Sequence, residues 1–149
     1  MRAHTVNLMC LLTVSALGAN GVRAADLDVC AALPISTVNE LTHQNLDGVR
    51  ADVSEEAHSF GCAYGSGGLV SVSVIRPGGA AAFARTNSRY PNATIVPGLG
   101  DKAVYDKRLG TIAIFDDVAF AAFVPRGTMS DAQTLAIEKS LILALHKKL

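Results

Sequence analysis

The chain has 149 residues, of which 50% are hydrophobic and only 5% aromatic, with no tryptophan, so its core has to be built from Val, Leu, Ile and Ala. Its 13 basic and 13 acidic residues balance, which provides no electrostatic surface of the kind that binds DNA, RNA or anionic lipid. The scarcity of aromatic side chains also counts against carbohydrate and peptide platforms, which usually depend on them.

The first 24 residues have the pattern of a secretory signal peptide. Arg2 and His4 precede an apolar run from Val6 to Ala19, and small residues occupy the cleavage positions that end at Ala24. The run is too short to span a bilayer, and no later segment approaches the roughly 20 apolar residues that a spanning helix needs. We therefore expect residues 25–149 to form one exported domain, located in the periplasm or outside the cell.

Three cysteines bear on this compartment. Cys10 lies in the signal peptide and leaves with it, whereas Cys30 and Cys62 remain. An isolated pair in an exported chain is most simply a disulfide. A lipoprotein signal at Cys10 is the alternative for that residue, but Met9 stands where such a site needs a small side chain. A zinc or redox site is the alternative for the pair, although the sequence has neither CxxC spacing nor clustered histidines.

The first half of the domain is predicted to contain helices followed by three strands. The elements are a short turn or helix over residues 26–33, a helix capped near Ser36 and running to about Leu46, and strands over residues 49–54, 59–64 and 69–75. The third strand is the clearest, because Val70, Val72 and Val74 alternate with Ser71 and Ser73. One of its faces is therefore apolar and the other can face water.

The second half is predicted to contain a helix, a further group of strands and a final helix. The elements are an Ala-rich helix over residues 80–88, an extended stretch over 94–97, a turn at 98–100, strands over 102–106, 111–115 and 118–124, and a final helix with Ser130 as N-cap. Gln133 completes a capping box there. Because short connections join neighbouring strands, we predict an α+β domain with a single twisted antiparallel sheet covered by helices, ending in an amphipathic C-terminal helix.

Two histidines have acidic neighbours. Glu40, His43 and Asp47 are spaced to share one side of the predicted first helix, where they would offer metal ligands. That side lies opposite the apolar positions, so a solvated polar face is the favoured interpretation. His58 follows Glu55 and Glu56, in what we predict to be a solvated turn rather than an acid–base pair. No serine nucleophile stands in a GxSxG setting.

The segment Gly98–Asp101 superficially resembles a phosphate-binding loop because it contains two glycines. A dinucleotide fingerprint needs a strand before it and a helix after it, whereas here a strand follows. We therefore expect the glycines to occupy turn positions with positive φ. Nearby, Asn92–Thr94 form a glycosylation sequon, and Leu143 is expected to be an ordinary exposed leucine. No residue is assigned to a catalytic, cofactor-binding or metal site, and no cofactor is expected.

Three segments together carry a resemblance to known proteins: Asp28–Pro34 with its early cysteine, Cys62–Tyr64 with an aromatic residue after the second cysteine, and Val96–Ala103 with a Gly-x-Gly-Asp-x-Ala turn. With the closing amphipathic helix, the pattern resembles a group of small exported bacterial envelope proteins and lipoproteins of unknown function. The resemblance implies an antiparallel sheet with flanking helices, similar in kind to PsbP-like domains. It also implies a bridge from Cys30 to Cys62 and an envelope location, but no catalytic residue.

These observations favour a non-enzymatic exported domain that interacts with a protein or another envelope component. The first alternative is a small-ligand carrier or sensor, with a pocket between the sheet and the helix over residues 80–88. A weaker alternative is a hydrolase that uses His43 or His58 with a neighbouring carboxylate. Nucleic acid and a membrane span are not expected.

Overall fold

A computed structural model describes residues 27–89 and 92–149, so the predicted signal peptide and Cys10 lie outside the described part. In chain order the elements are α1 (Val29–Ala32), α2 (Ile35–Thr42), β1 (Val49–Ser54), β2 (Ser59–Tyr64), β3 (Val70–Ile75), α3 (Gly79–Arg89), β4 (Thr94–Ile95), β5 (Lys102–Asp106), β6 (Gly110–Phe115), β7 (Val118–Phe123) and α4 (Asp131–His146). The predicted α+β class is confirmed. The strand bounds agree with the predicted ones to within one or two residues.

All seven strands belong to one sheet, in the order β1-β2-β3-β7-β6-β5-β4. Strands β1 to β3 form one meander and β4 to β7 form another, and the two join where β3 pairs with β7, from Ser71 opposite Phe123 to Ile75 opposite Ala119. Every pairing is antiparallel, as predicted for the neighbouring strands that short connections join. The sheet therefore has its edges at β1 and β4.

The two faces of the sheet are covered differently. One face carries Val70, Val72 and Val74, each at most 2% exposed, and packs with α1, α2 and α4 into the main core. The other face is covered over β5 to β7 by α3, whose Phe83 packs against Val104, Ile112, Ile114 and Ala119. Over β3 this second face carries the half-buried Ser71 and Ser73, so the predicted alternation in β3 is confirmed.

The predicted disulfide is present and attaches α1 to the sheet. Cys30 of α1 is bonded to Cys62 of β2, with 5.2 Å between their Cα atoms. Beside it, the Tyr64 hydroxyl donates a hydrogen bond to the Leu33 carbonyl at the end of α1, and both residues are at most 1% exposed. The bridge and this hydrogen bond together fix the first helix against β2.

Helix α2 is shorter than the sequence predicts. It begins at Ile35 after Pro34, rather than near Ser36, and it ends at Thr42 instead of about Leu46. His43 adopts the left-handed conformation, with φ of 54°. The physical reason is the Asn39 side chain, which accepts from the Leu46 N–H at 2.8 Å and donates to the Leu46 carbonyl at 3.2 Å. These bonds satisfy the main chain of Leu46 outside the helix.

Helix α4 begins as predicted. The Ser130 hydroxyl accepts from the Gln133 N–H at 3.3 Å, and the Gln133 side chain accepts from the Ser130 N–H at 2.9 Å, which completes the capping box. The buried residues of the helix are Thr134, Glu138, Leu141, Ile142 and Leu145. At its last residue, His146 stacks on Phe115 with ring centroids 4.1 Å apart.

The turn between β6 and β7 also caps α3. Asp117 has a positive φ of 63°. Its carbonyl accepts from the Gly79 N–H, and its carboxylate accepts from the Ala80 N–H, both at 2.9 Å. Gly79 is required because an added Cβ would lie 2.3 Å from the Ala119 nitrogen. One aspartate therefore holds the start of α3 against the sheet.

We expect Asp117→Ala to lower the free energy of unfolding by about 2 to 3 kcal/mol, since it removes a helix cap and places alanine in the left-handed region. Urea denaturation measures the change. Asp117→Asn is the matched control, because asparagine tolerates that conformation and keeps an oxygen acceptor. A loss as large in the Asn variant as in the Ala variant would contradict this account.

Candidate functional site

The structure separates the first group of predicted candidates. Glu40 lies on α2, His43 follows its last turn and Asp47 lies in the loop before β1. The prediction that they share one helical side is wrong, because the helix ends at Thr42. Hydrogen bonds from the hydroxyl and N–H of Ser66 lower the pKa of the Asp47 carboxyl. Within residues 27–89 and 92–149, no three His, Cys, Asp or Glu side chains form a group that could hold a metal ion.

The second group lies in the turn between β1 and β2. Glu55, Glu56 and His58 are all exposed, as a solvated turn predicts. His58 has a φ of 50°, its N–H donates to the Glu55 carbonyl, and its carbonyl accepts from the Arg76 N–H, each at 3.1 Å. The main chain of His58 therefore closes the turn and holds it to the end of β3.

The Gly98–Asp101 segment is a structural turn, as predicted. Gly98 and Gly100 have φ values of 71° and 61°, and a Cβ on Gly100 would lie 2.2 Å from the Ile114 carbonyl oxygen. Leu99 is buried in the main core. The Asp101 N–H donates to the Ile114 carbonyl at 2.8 Å, and its carboxylate accepts from the Asp116 N–H at 3.0 Å. The motif thus attaches the start of β5 to the end of β6.

The same turn forms one wall of an open hollow beside α3, of about 480 Å³. Phe83 and Asn87 of α3 form the opposite wall. Its lining is mostly apolar and includes Ile95, Val96, Pro97, Leu99 and Val104. Ile95 is 78% exposed, so the hollow presents apolar surface to solvent at its mouth. The polar side chains of the lining are those of Asn87, Asp101 and Lys102, which are exposed.

A second hollow, of about 510 Å³, lies at the other end of β5. The Tyr105 hydroxyl contacts the Asp131 carboxylate at 3.4 Å, and Arg126 pairs with the same carboxylate at 2.8 Å. Burial raises the pKa of the Tyr105 hydroxyl, and the charge of Asp131 adds to this effect. Asp106 accepts from the Arg108 N–H at 2.8 Å. The two carboxylates of this hollow are thus already engaged by neighbouring side-chain or main-chain groups.

Glu138 is a buried titratable residue that the sequence analysis does not predict. Its side chain projects from α4 into the main core and is 0% exposed. One carboxylate oxygen accepts from the Thr111 hydroxyl at 2.7 Å, and the other accepts from the Val124 N–H at 3.0 Å. Burial raises the pKa of Glu138 to about 7, although both hydrogen bonds act in the opposite direction. This carboxyl therefore titrates near neutral pH inside the protein.

The signal for Glu138 was present in the sequence. Position 138 is three residues after Leu135 and three before Leu141, so it falls within the apolar arc of α4. An acidic residue at a position predicted to face the core indicates a buried polar contact. Thr111 faces it from β6, whose other inward residues are apolar.

None of the helices within the described ranges is long and apolar enough to cross a membrane. Comparison of the chain with protein-family models, with curated proteins and with solved structures gives no match.

Proposed function

We propose that this chain is an exported, non-enzymatic binding domain of the bacterial envelope or the extracellular space, and that it binds an apolar group of a small ligand or envelope component. The observation that carries the proposal is the hollow beside α3, with Ile95 exposed at its mouth. A hollow of about 480 Å³ falls within the range of small-molecule sites, which are mostly apolar with a few polar groups.

The position of the hollow supports a carrier or sensor rather than a catalyst. It lies between α3, which contributes Phe83 and Asn87, and the segment over residues 95–104. The polar side chains of its lining, Asn87, Asp101 and Lys102, are exposed, whereas most of the other lining residues are apolar. An elongated ligand with an apolar body and one polar end, such as a fatty acid, fits this distribution.

An exported location is supported by two independent features. The Cys30–Cys62 disulfide is typical of an oxidising compartment. The first 24 residues have the composition of a signal peptide. We propose that the domain acts in the periplasm or outside the cell after cleavage at Ala24.

Thermal unfolding with and without palmitate tests the ligand proposal. We expect a rise in Tm that grows with ligand concentration, because a ligand of the folded state stabilises it. Ile95→Glu places a charge in the mouth of the hollow and is expected to weaken binding at least about tenfold, equal to about 1.4 kcal/mol. Leu143→Glu is the matched control, since Leu143 is 44% exposed on α4.

Equal binding by both variants would place the ligand elsewhere. An unchanged Tm, together with native mass spectrometry of the protein purified from its own host that shows no bound small molecule, would contradict the proposal. In that case interaction with a protein becomes the leading hypothesis. A hydrolase that uses His43 or His58 is the weaker alternative, and it predicts an activity that is lost in the His43→Ala/His58→Ala double variant.

A further inference from the structure

Among the residues that the structure describes, strand β1 forms an open edge of the sheet. All six of its residues are exposed, and the apolar side chains of Val49 and Val53 are 47% and 55% exposed. The adjoining Gly48 carbonyl accepts from the Gly65 N–H at 3.0 Å, so the main chain of Gly48 faces β2. Since successive residues of a strand direct their main-chain groups to opposite sides, those of Val49, Ala51 and Val53 point away from the sheet.

The side chains of β1 divide between the two faces of the sheet. Val49, Ala51 and Val53 lie on the face of the main core, opposite Tyr64, Cys62 and Phe60 of β2. Arg50 and Asp52 lie on the other face, opposite Ala63 and Gly61. From residue 49 to residue 53 the order is therefore apolar, basic, small, acidic and apolar. When a second copy of this strand is placed antiparallel about Ala51, each apolar residue lies opposite an apolar residue and each charge lies opposite the other charge.

We propose that β1 pairs antiparallel with β1 of a second copy of this chain, with Ala51 on the two-fold axis. In this register Arg50 lies opposite the partner's Asp52, and Val49 lies opposite the partner's Val53. The symmetry repeats each contact, so two pairs of opposite charges form on one face and two valine pairs form on the other. The three outward-facing residues of each copy supply about six main-chain hydrogen bonds.

The charges select this register over its neighbours. In a shift by two residues in one direction, Asp52 lies opposite the partner's Asp52, and in the other direction Arg50 lies opposite the partner's Arg50. Like charges directly opposite each other destabilise a strand pair, whereas opposite charges stabilise it. An exposed edge strand also tends to recruit another strand, because its main-chain groups lack partners. Two copies would thus form one continuous sheet of fourteen strands, twice the seven of one copy.

The dimer does not depend on the proposed ligand. β1 is at one edge of the sheet, whereas β4, which carries Ile95 at the mouth of the hollow beside α3, is at the opposite edge. Pairing through β1 therefore leaves the hollow open in both copies. Failure of one proposal would not decide the other.

Sedimentation equilibrium of the exported protein over a wide range of concentrations tests this pairing. We expect the mass to rise from that of one copy towards two. Arg50→Asp and Asp52→Arg each place like charges opposite each other, and each is expected to weaken dimerisation about tenfold or more. The double variant Arg50→Asp/Asp52→Arg exchanges the charges and restores both pairs, so its dimerisation is expected to return close to that of the parent.

Two further variants complete the experiment. Arg85→Asp makes the same charge change on the exposed side of α3 and is expected to leave dimerisation unaltered. Ala51→Pro removes the N–H on the two-fold axis, which β2 does not use, and is expected to abolish the dimer. A mass of one copy at every concentration would overturn the proposal. So would a double variant that dimerises as weakly as the single variants, since that result would assign the contact to another surface.

Discussion

Replacing Glu138 by glutamine is expected to stabilise the protein by about 3 kcal/mol at pH 8 and to leave its stability nearly unchanged at pH 4.5. The pKa of Glu138 rises from an ordinary value of 4.5 to about 7 in the folded state, chiefly because the carboxyl is buried. The folded protein therefore binds this proton more tightly than the unfolded chain does. The stability contributed by the protonated carboxyl is fully present below about pH 4.5 and is lost as the pH rises through about 7.

Glutamine fits the site because the two hydrogen bonds differ in kind. The Val124 N–H needs an acceptor, which the amide oxygen provides, whereas the Thr111 hydroxyl can accept from the amide nitrogen. The variant keeps both contacts without a buried charge. Its free energy of unfolding should accordingly lack the decline that we expect for the parent between pH 4.5 and pH 8.

Chemical denaturation at several pH values measures this difference. Glu55→Gln is the matched control, since Glu55 is exposed in the turn between β1 and β2 and the same substitution there should not change the shape of the pH profile. Parallel profiles for the parent and Glu138→Gln would show that Glu138 does not titrate in this range.

Removing the disulfide is expected to lower the free energy of unfolding by about 3 to 4 kcal/mol, because the bridge closes a long loop in the unfolded chain. Cys30 and Cys62 are separated by 32 positions. The double variant Cys30→Ala/Cys62→Ala and reduction of the parent should have similar effects. The loss should fall first on α1, which the bridge attaches to β2.

Denaturation with and without a thiol reductant tests this prediction. The parent should become less stable in the reductant, whereas the double alanine variant should not respond to it. Non-reducing peptide mapping provides a second measurement, in which the Cys30 and Cys62 peptides are expected to be joined. Two free thiols in the purified protein would contradict both the bridge and the stability that it contributes.

Local signals explain why most of the fold could be predicted. Strands end at Gly65–Gly68 and at the pair Asp116 and Asp117, which adopt turn conformations. Glycine and aspartate favour turns, so such positions can be recognised in the sequence alone. The capping box at Ser130 is equally local. The pairing of β3 with β7 could not be predicted, because strands that are distant in sequence and pair with each other leave no mark in either segment.

Contacts across the chain also explain the errors around the candidate sites. The end of α2 depends on the Asn39 side chain reaching Leu46, and helical spacing alone does not reveal that contact. A pocket beside the helix over residues 80–88 was expected from its small side chains, whereas the hollow at α3 is lined by Phe83, Asn87 and the Gly98–Asp101 turn, whose position depends on β6. Glu138 was not predicted because it lies among the core positions of α4, whereas the predicted candidates lie on a polar helix face or in a turn.

The junction between the two meanders has a consequence for how the protein folds. Residues 71–75 of β3 receive their second neighbour only from residues 119–123 of β7, and α4, which completes the main core, follows still later in the chain. Non-local pairing of this kind slows folding, because a long loop has to close, at a cost in chain entropy, before the stabilising contacts can form. An incomplete chain that stops before β7 would expose β3 as an apolar edge, which is a template for aggregation. The domain is therefore expected to fold as one unit after the last quarter of the chain has been synthesised. We do not expect one meander to fold first and the other to be added to it.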